Sequence, residues 1–137
     1  MKLVDFLICD DIRHEQGDKL SLMGVYGNSI NLHIPKEVQK PIAWRFAVYL
    51  RVLVEDNDRI PDRCSVIFHD SKKELVNFNG PITISGRPVL LAFVLPHFIT
   101  EILEDSALTA KITLSAEGQP ILDVMAPYTL EVKITKE

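Results

Sequence analysis

Residues 42–55 read IAWRFAVYLRVLVE, and this stretch decides the fold. Every second position is apolar, namely Trp44, Phe46, Val48, Leu50, Val52 and Val54. Successive side chains of a strand point to opposite faces, so this set would be buried and the intervening set left partly in water. As a helix, the same residues would scatter apolar groups all round the axis. The stretch therefore predicts one long strand.

The same alternation returns twice in the C-terminal third of the chain, over 108–116 and over 128–134. Between them, residues 117–120 read EGQP, a Gly-containing turn signal, and 121–125 begin the return strand. Pro127 has no backbone N–H to donate to a ladder, which favours a bulge or an edge. We therefore predict a hairpin whose return strand is broken near Pro127.

The rest of the chain is divided into short apolar segments by Gly and Pro. Further strands are predicted at 3–9, 19–26, 29–34, 64–69, 75–78 with 82–84, and 89–95. One or two helical turns are predicted around 97–104, where the apolar residues have helical spacing after Pro96. We expect a single domain over 1–137, an all-β, two-sheet antiparallel β-sandwich of eight or nine strands with that short helix.

Composition limits the classes of partner. The chain has 137 residues, 47% hydrophobic and 25% charged, as is typical of a globular domain. Its 15 Lys and Arg are scattered among 19 Asp and Glu, for a net charge of −4, which opposes binding to nucleic acid. Asp5 interrupts the apolar start, so we expect no export signal there. The longest apolar run, 89–95, is too short to span a bilayer.

We therefore expect a cytoplasmic protein with no membrane partner. Thiols stay reduced in that compartment, so Cys9 and Cys64 are interpreted as free, strand-embedded cysteines. Trp44 lies between them in the sequence, as in an immunoglobulin domain, but the two gaps do not fit the disulfide-bridged spacing of that fold. Trp44 is therefore expected to be a core residue without a bridge.

Several short motifs resemble a family of small bacterial proteins of uncharacterised function. Near the start these are ICDD at 8–11 and LSLMGVY at 20–26; towards the end they are AFVLP at 92–96 and LEV at 130–132. The chain departs from the family at the penultimate strand, which begins with SAL and turns on Glu-Gly. The resemblance implies an immunoglobulin-like sandwich, and it implies no activity.

The acidic loop over 55–62 is a candidate calcium site through Asp56, Asp58 and Asp62. Calcium requires several oxygen ligands on a short loop, but the EF-hand order of residues is missing. A second acidic loop, within 10–18, would have to lie at the same end of the sandwich. The alternative interpretation is a solvated turn in which Asp and Asn bond their own backbone.

No catalytic residue and no cofactor is expected. Cys64 and His69 are an odd number of residues apart, so a strand places them on opposite faces. His14, His33 and His97 are isolated, without zinc-ligand spacing. The chain also has no nucleophile elbow and no Gly-rich phosphate loop.

Two features point to contact with another protein. Residues 89–95 are apolar on both faces, so that the strand is either covered from within the domain, by a helical cap for example, or covered by a partner. Arg45, Tyr49 and Arg51 project from the non-core face of the long strand, and Tyr and Arg are enriched in interfaces. We expect a non-enzymatic interaction module acting through a protein partner or self-association. The alternatives are a calcium- or small-ligand-binding sandwich and an enzyme whose site the sequence does not reveal.

Overall fold

The computed structural model describes residues 1–137. It contains ten strands: β1 (Lys2–Glu15), β2 (Lys19–Val25), β3 (Ser29–Ile34), β4 (Ile42–Leu53), β5 (Arg63–His69), β6 (Glu74–Pro81), β7 (Leu90–Ile102), β8 (Ser106–Ala116), β9 (Gln119–Met125) and β10 (Leu130–Lys136). There is no helix long and apolar enough to cross a membrane.

The strands form two sheets that pack face to face. The first has the order β2-β1-β4-β7, and the second has the order β3-β10-β8-β5-β6, with β9 also paired to β8. The all-β, two-sheet sandwich is therefore confirmed. One pair, β3 with β10, is parallel, so the second sheet is mixed, not purely antiparallel.

The long strand predicted from the opening motif is β4, and its alternation determines the core. Trp44, Phe46 and every second residue to Val52 are buried between the sheets. The Phe46 ring is fully buried, with ring centroids 4.4 Å from Trp44, 5.0 Å from Phe68 and 5.3 Å from Phe98. Both sheets contribute to this aromatic cluster, which joins them.

The C-terminal hairpin is confirmed, including its broken return strand. Glu117 and Gly118 both have positive φ, 50° and 79°, which is the conformation of a two-residue type I′ turn. The return strand pairs with β8 first as β9 and then as β10. Pro127 lies in the interruption between the two.

The predicted helix around 97–104 is wrong, because β7 continues as a strand to Ile102. Phe98 pairs with Phe46 and Leu95 pairs with Val48, so two residues of β7 face the single residue Ala47. This β-bulge moves the buried positions from odd to even numbers. The extra residue gives Leu95, Phe98 and Ile102 spacings of three and four, which imitate a helix in the sequence.

The strand predicted over 82–84 is also absent, since β6 ends at Pro81. β1 is longer than predicted, because its second half forms a hairpin with β2. Only residues 9–15 of β1 have that neighbour; residues 2–8 pair with β4 alone.

Candidate interaction surface

The face of the first sheet that points away from the core is largely apolar. Tyr49 stands between Leu7 of β1 and Val94 of β7 in register, and Ala47 stands beside Cys9. Residues in register share a face, which places the following side chains together: Asp5, Leu7, Cys9, Arg45, Ala47, Tyr49, Arg51, Leu53, Leu90, Ala92, Val94 and Ile99. We call this set the outer sheet face.

The centre of the outer sheet face is a small apolar cluster of its own. Cys9 and Ala47 are completely buried in it, and Ile12 is nearly so. Tyr49 and Val94 pack against them, together with Leu20 and Leu22 of β2. The face is thus organised around Tyr49 as a second, smaller centre of apolar contact.

β2 covers the Cys9–Ala47 part of this face through Leu20 and Leu22, whereas the part along β7 is open. Leu91, Phe93 and Leu95 point into the core, whereas the intervening side chains of β7 point outwards. Leu90 is 42% exposed and Ile99 is 61% exposed. The helical cap that could have covered this apolar strand does not exist. The outward-facing side of β7 is therefore open.

The charged groups of the outer sheet face lie around its centre. Arg51 donates through Nε to the Asp5 carboxylate, and this hydrogen bond raises the pKa of Arg51. Arg45 is exposed near one end of the strand, with Ile99 beside it in register. The three residues that the sequence singled out therefore lie on one face, around an apolar, aromatic centre. A charge-poor centre with a polar rim is the composition of a protein interface.

The acidic loop has a different organisation from a calcium site. Asp58 Oδ2 accepts a hydrogen bond from the N-terminal amine at 2.7 Å and from the Glu55 backbone N–H at 2.8 Å. The bond to the amine is the main reason why the pKa of Asp58 lies below its usual value. Asp62 accepts instead from the backbone N–H of Glu117 at 3.0 Å. These carboxylates fasten the loop to the chain start and to the β8–β9 turn.

No three Asp, Glu, His or Cys side chains come together in a way that could hold a metal ion. Asp56 contributes its backbone carbonyl, which accepts from Arg87. The second acidic segment does not meet the loop either. The loop follows β4 beside the start of β1, and the turn at Glu15–Asp18 lies at the far end of that 14-residue strand.

Both cysteines are free and buried, as the sequence predicts. Burial raises the pKa of Cys64 to about 11 and also raises the pKa of Cys9, so both thiols are protonated at neutral pH. Cys64 points into the core. His69 lies an odd number of residues further along the same strand, and its Nε2 is 2.8 Å from Thr109 Oγ1. The two residues therefore lie on opposite faces, as their spacing requires.

One polar constellation was missed by the sequence reasoning. The Tyr26 hydroxyl donates a hydrogen bond to the Asp10 carboxylate. The Tyr26 ring stacks on Trp44, with the ring centroids 6.0 Å apart. Asp10 Oδ2 lies above Gly24, only 2.2 Å from where a Cβ would be. Burial, and next the Asp10 hydrogen bond, raises the pKa of Tyr26. A glycine inside an apolar strand was the available signal.

This constellation, the Asp10 clamp, connects the two segments that carry the family resemblance near the chain start. It joins β1 to the end of β2 and, through Trp44, to β4. The clamp is polar and partly exposed, yet all its groups are used in holding strands together. Its role in the fold is therefore structural.

Comparison of the chain with protein-family models, with curated proteins and with solved structures found no match. The fold and the surface described above therefore define the class of this protein. It is a two-sheet β-sandwich in which one sheet has a largely apolar outer face that β2 covers only in part.

Proposed function

We propose that this protein is a non-enzymatic interaction module that associates with a second copy of itself through the outer sheet face. The observation that supports the proposal is an apolar strip beside Tyr49, along β7, that no other element covers; Leu90 is 42% exposed and Ile99 is 61% exposed. Exposed apolar patches of this kind on a folded domain mark contact sites. Sheets also pack face to face as a matter of course, about 10 Å apart, as the two sheets of this sandwich do.

The size of the face suits a weak dimer. Its three strands, about 4.8 Å apart and roughly ten residues long at about 3.3 Å per residue, give a flat footprint of roughly 480 Å². Side chains increase the accessible area above that of the flat footprint. A stable interface buries about 800 Å² on each partner. The outer sheet face is therefore at the lower end of the range, which fits a dimer that forms as concentration rises.

The charges support a second copy as the occupant. Arg51 and Asp5 neutralise each other within one chain, so two faces can meet without leaving a lone charge at the centre. Isologous contacts need such self-complementarity, because each group meets the same surface on the partner. Arg45 lies near the end of the face, where it can stay in water.

The proposal is tested by multi-angle light scattering across a range of concentrations. The chain has a mass of 15.5 kDa, and we expect the measured mass to approach twice that value as concentration rises. Tyr49→Ala removes the central ring, and Arg51→Glu places unpaired negative charges beside the centre, next to Asp5. Both variants should shift the protein to monomer. Ile67→Ala is the matched control, since Ile67 is a half-buried residue on the outer face of the second sheet.

Circular dichroism of each variant should retain the β-sheet signal of the parent, so that loss of the dimer is separated from loss of the fold. A strict monomer at every concentration would contradict the proposal. So would a dimer that Tyr49→Ala and Arg51→Glu leave unchanged, or that Ile67→Ala weakens equally.

A further inference from the structure

We propose that a second site, formed by the open edges of β1 and β9, binds an extended peptide strand of a partner protein that carries an acidic side chain. This site adjoins the outer sheet face at Asp5 but does not depend on self-association. It lies where each sheet lacks an outer strand.

The first observation is an unpaired strand edge. Residues 2–9 of β1 pair with β4 on one side, and β2 covers only residues 9–15. Coverage of that edge ends at Ile8, whose carbonyl accepts from the Tyr26 backbone N–H at 2.8 Å. Towards Lys2, alternate N–H and C=O groups have no strand beside them. An extended peptide satisfies such groups by adding one strand to the sheet.

The second observation is a groove beside this edge. Its volume is about 430 Å³, and its lining includes every residue from Met1 to Phe6. Such a consecutive lining means that the groove runs along the strand. The opposite wall is formed by Leu122, Val124 and Met125 of β9 and by Pro127 in the bend after it, and β9 pairs with β8 alone. We call this site the edge groove.

The edge groove is apolar at its base and at its rim. Phe6 and Leu122 are buried at the base, whereas Val4 is 51% exposed and Met125 is 49% exposed. A strand laid along β1 would point every second side chain into this groove, because side chains alternate along a strand. The occupant that fits has apolar residues at alternate positions.

Charge defines the occupant further. The N-terminal amine is bound by Asp58, and Asp5 is bound by Arg51. Lys2 makes no ion pair and is in register with Leu53, so one uncompensated positive charge lies where the groove borders the outer sheet face. A carboxylate on the peptide is the complementary group, and it also sets the direction in which the peptide lies.

Lys2 and the register shift between Leu3 and Asp5 have a competing explanation. Lysines and bulges on edge strands also protect a monomer from unwanted strand pairing. The two explanations differ in one measurable respect, because a protected edge accepts no peptide strand.

The experiment uses the intact protein and a displayed library of heptapeptides with apolar residues at alternate positions and random residues between them. Enriched peptides are then synthesised and titrated into the ¹⁵N-labelled protein. We expect enrichment of Asp or Glu, with amide shifts confined to residues 2–8 and 119–127. Methylation of the peptide nitrogens that face β1 should abolish binding, because it removes the ladder donors.

Variants locate the site. Met125→Glu should weaken binding at least tenfold, since it places a charge on the apolar rim. Lys2→Glu should weaken the binding of an acidic peptide about two- to fivefold, which is the usual range for the loss of an exposed ion pair. The matched control is Met23→Glu, at another exposed methionine, on β2 and outside the groove. It should leave binding unchanged.

Three results would overturn the inference. One is a selection that enriches no peptide above background. Another is a set of amide shifts elsewhere, including on the outer sheet face. The last is equal binding by the N-methylated peptide, which would mean that no strand is added. None of these results bears on whether the protein self-associates.

Discussion

Replacement of Gly24 by alanine should destabilise the fold by breaking the Asp10 clamp. Gly24 has a φ of +62°, where an L-residue is strained. Its new Cβ would lie 2.2 Å from Asp10 Oδ2, so the Asp10 carboxylate has to turn away. That movement takes Asp10 from the Tyr26 hydroxyl, to which it is hydrogen-bonded.

The expected magnitude follows from two contributions. The left-handed backbone costs about 1–2 kcal/mol for a residue with a Cβ. Loss of the Tyr26–Asp10 hydrogen bond costs about 1–2 kcal/mol, a value kept low because the bond is partly exposed. Alanine offsets about 0.5 kcal/mol by restricting the unfolded chain. We expect Gly24→Ala to lower the free energy of unfolding by about 2–3 kcal/mol.

Urea denaturation followed by circular dichroism measures this change. Gly86→Ala is the matched control, because Gly86 also has a positive φ, of 71°, but nothing lies within 4 Å of its Cβ position. It should cost only the backbone part, about 1 kcal/mol. In an Asp10→Ala background, Gly24→Ala should cost no more than that control. Equal costs in the two backgrounds would refute the clamp, as would a Gly24→Ala cost no larger than that of Gly86→Ala.

Two further predictions concern titratable groups. The folded protein should react with a thiol reagent at about pH 8 only as fast as the fold opens, because Cys9 and Cys64 are buried and their pKa values are raised. In denaturant both thiols should react at once. Immediate reaction of the folded protein would contradict this prediction. The pKa of Asp58 is lowered from 3.8, so its contribution to stability is fully present above that pH and is lost as pH falls through the lower folded value. Thermal unfolding at pH values from about 5 to 2.5 should therefore show a smaller loss of Tm for Asp58→Asn than for the parent, and parallel curves would contradict this.

The parts of the fold that could be predicted are those encoded within one segment. The alternation from Trp44 to Val52 needs no knowledge of neighbouring strands, because burial on one face is enough to impose it. The hairpin turn at Glu117–Gly118 is equally local, since Gly there meets the demand for positive φ. The break at Pro127 follows from the missing donor of proline.

The errors arose where one strand is shaped by another. The bulge opposite Ala47 exists only in relation to β4, so β7 alone showed a helical spacing instead of a shifted alternation. The Asp10 clamp needs β2 folded against β1, which brings Asp10 over Gly24 from fourteen residues away in sequence. These are register effects, and a single segment does not carry its register.

The candidate surface was foreseen only in part. Alternation placed Arg45, Tyr49 and Arg51 on one face, and the structure places them along the outward side of β4. Whether that face is covered depends on every other element. From the sequence alone, both a helical cap and a partner protein therefore remained possible as its cover. The edge groove was not foreseen, because it results from β2 stopping halfway along β1.

The most direct test of self-association is a search for intermolecular contacts in a mixed sample, half ¹³C-labelled and half unlabelled. Isotope-filtered NOE spectra report only contacts between chains. We predict such NOEs from the methyl groups of Leu7, Leu90, Val94 and Ile99, with loss of all of them in Tyr49→Ala. No intermolecular NOE at a concentration where light scattering detects dimer, or NOEs from methyl groups outside the outer sheet face, would contradict it.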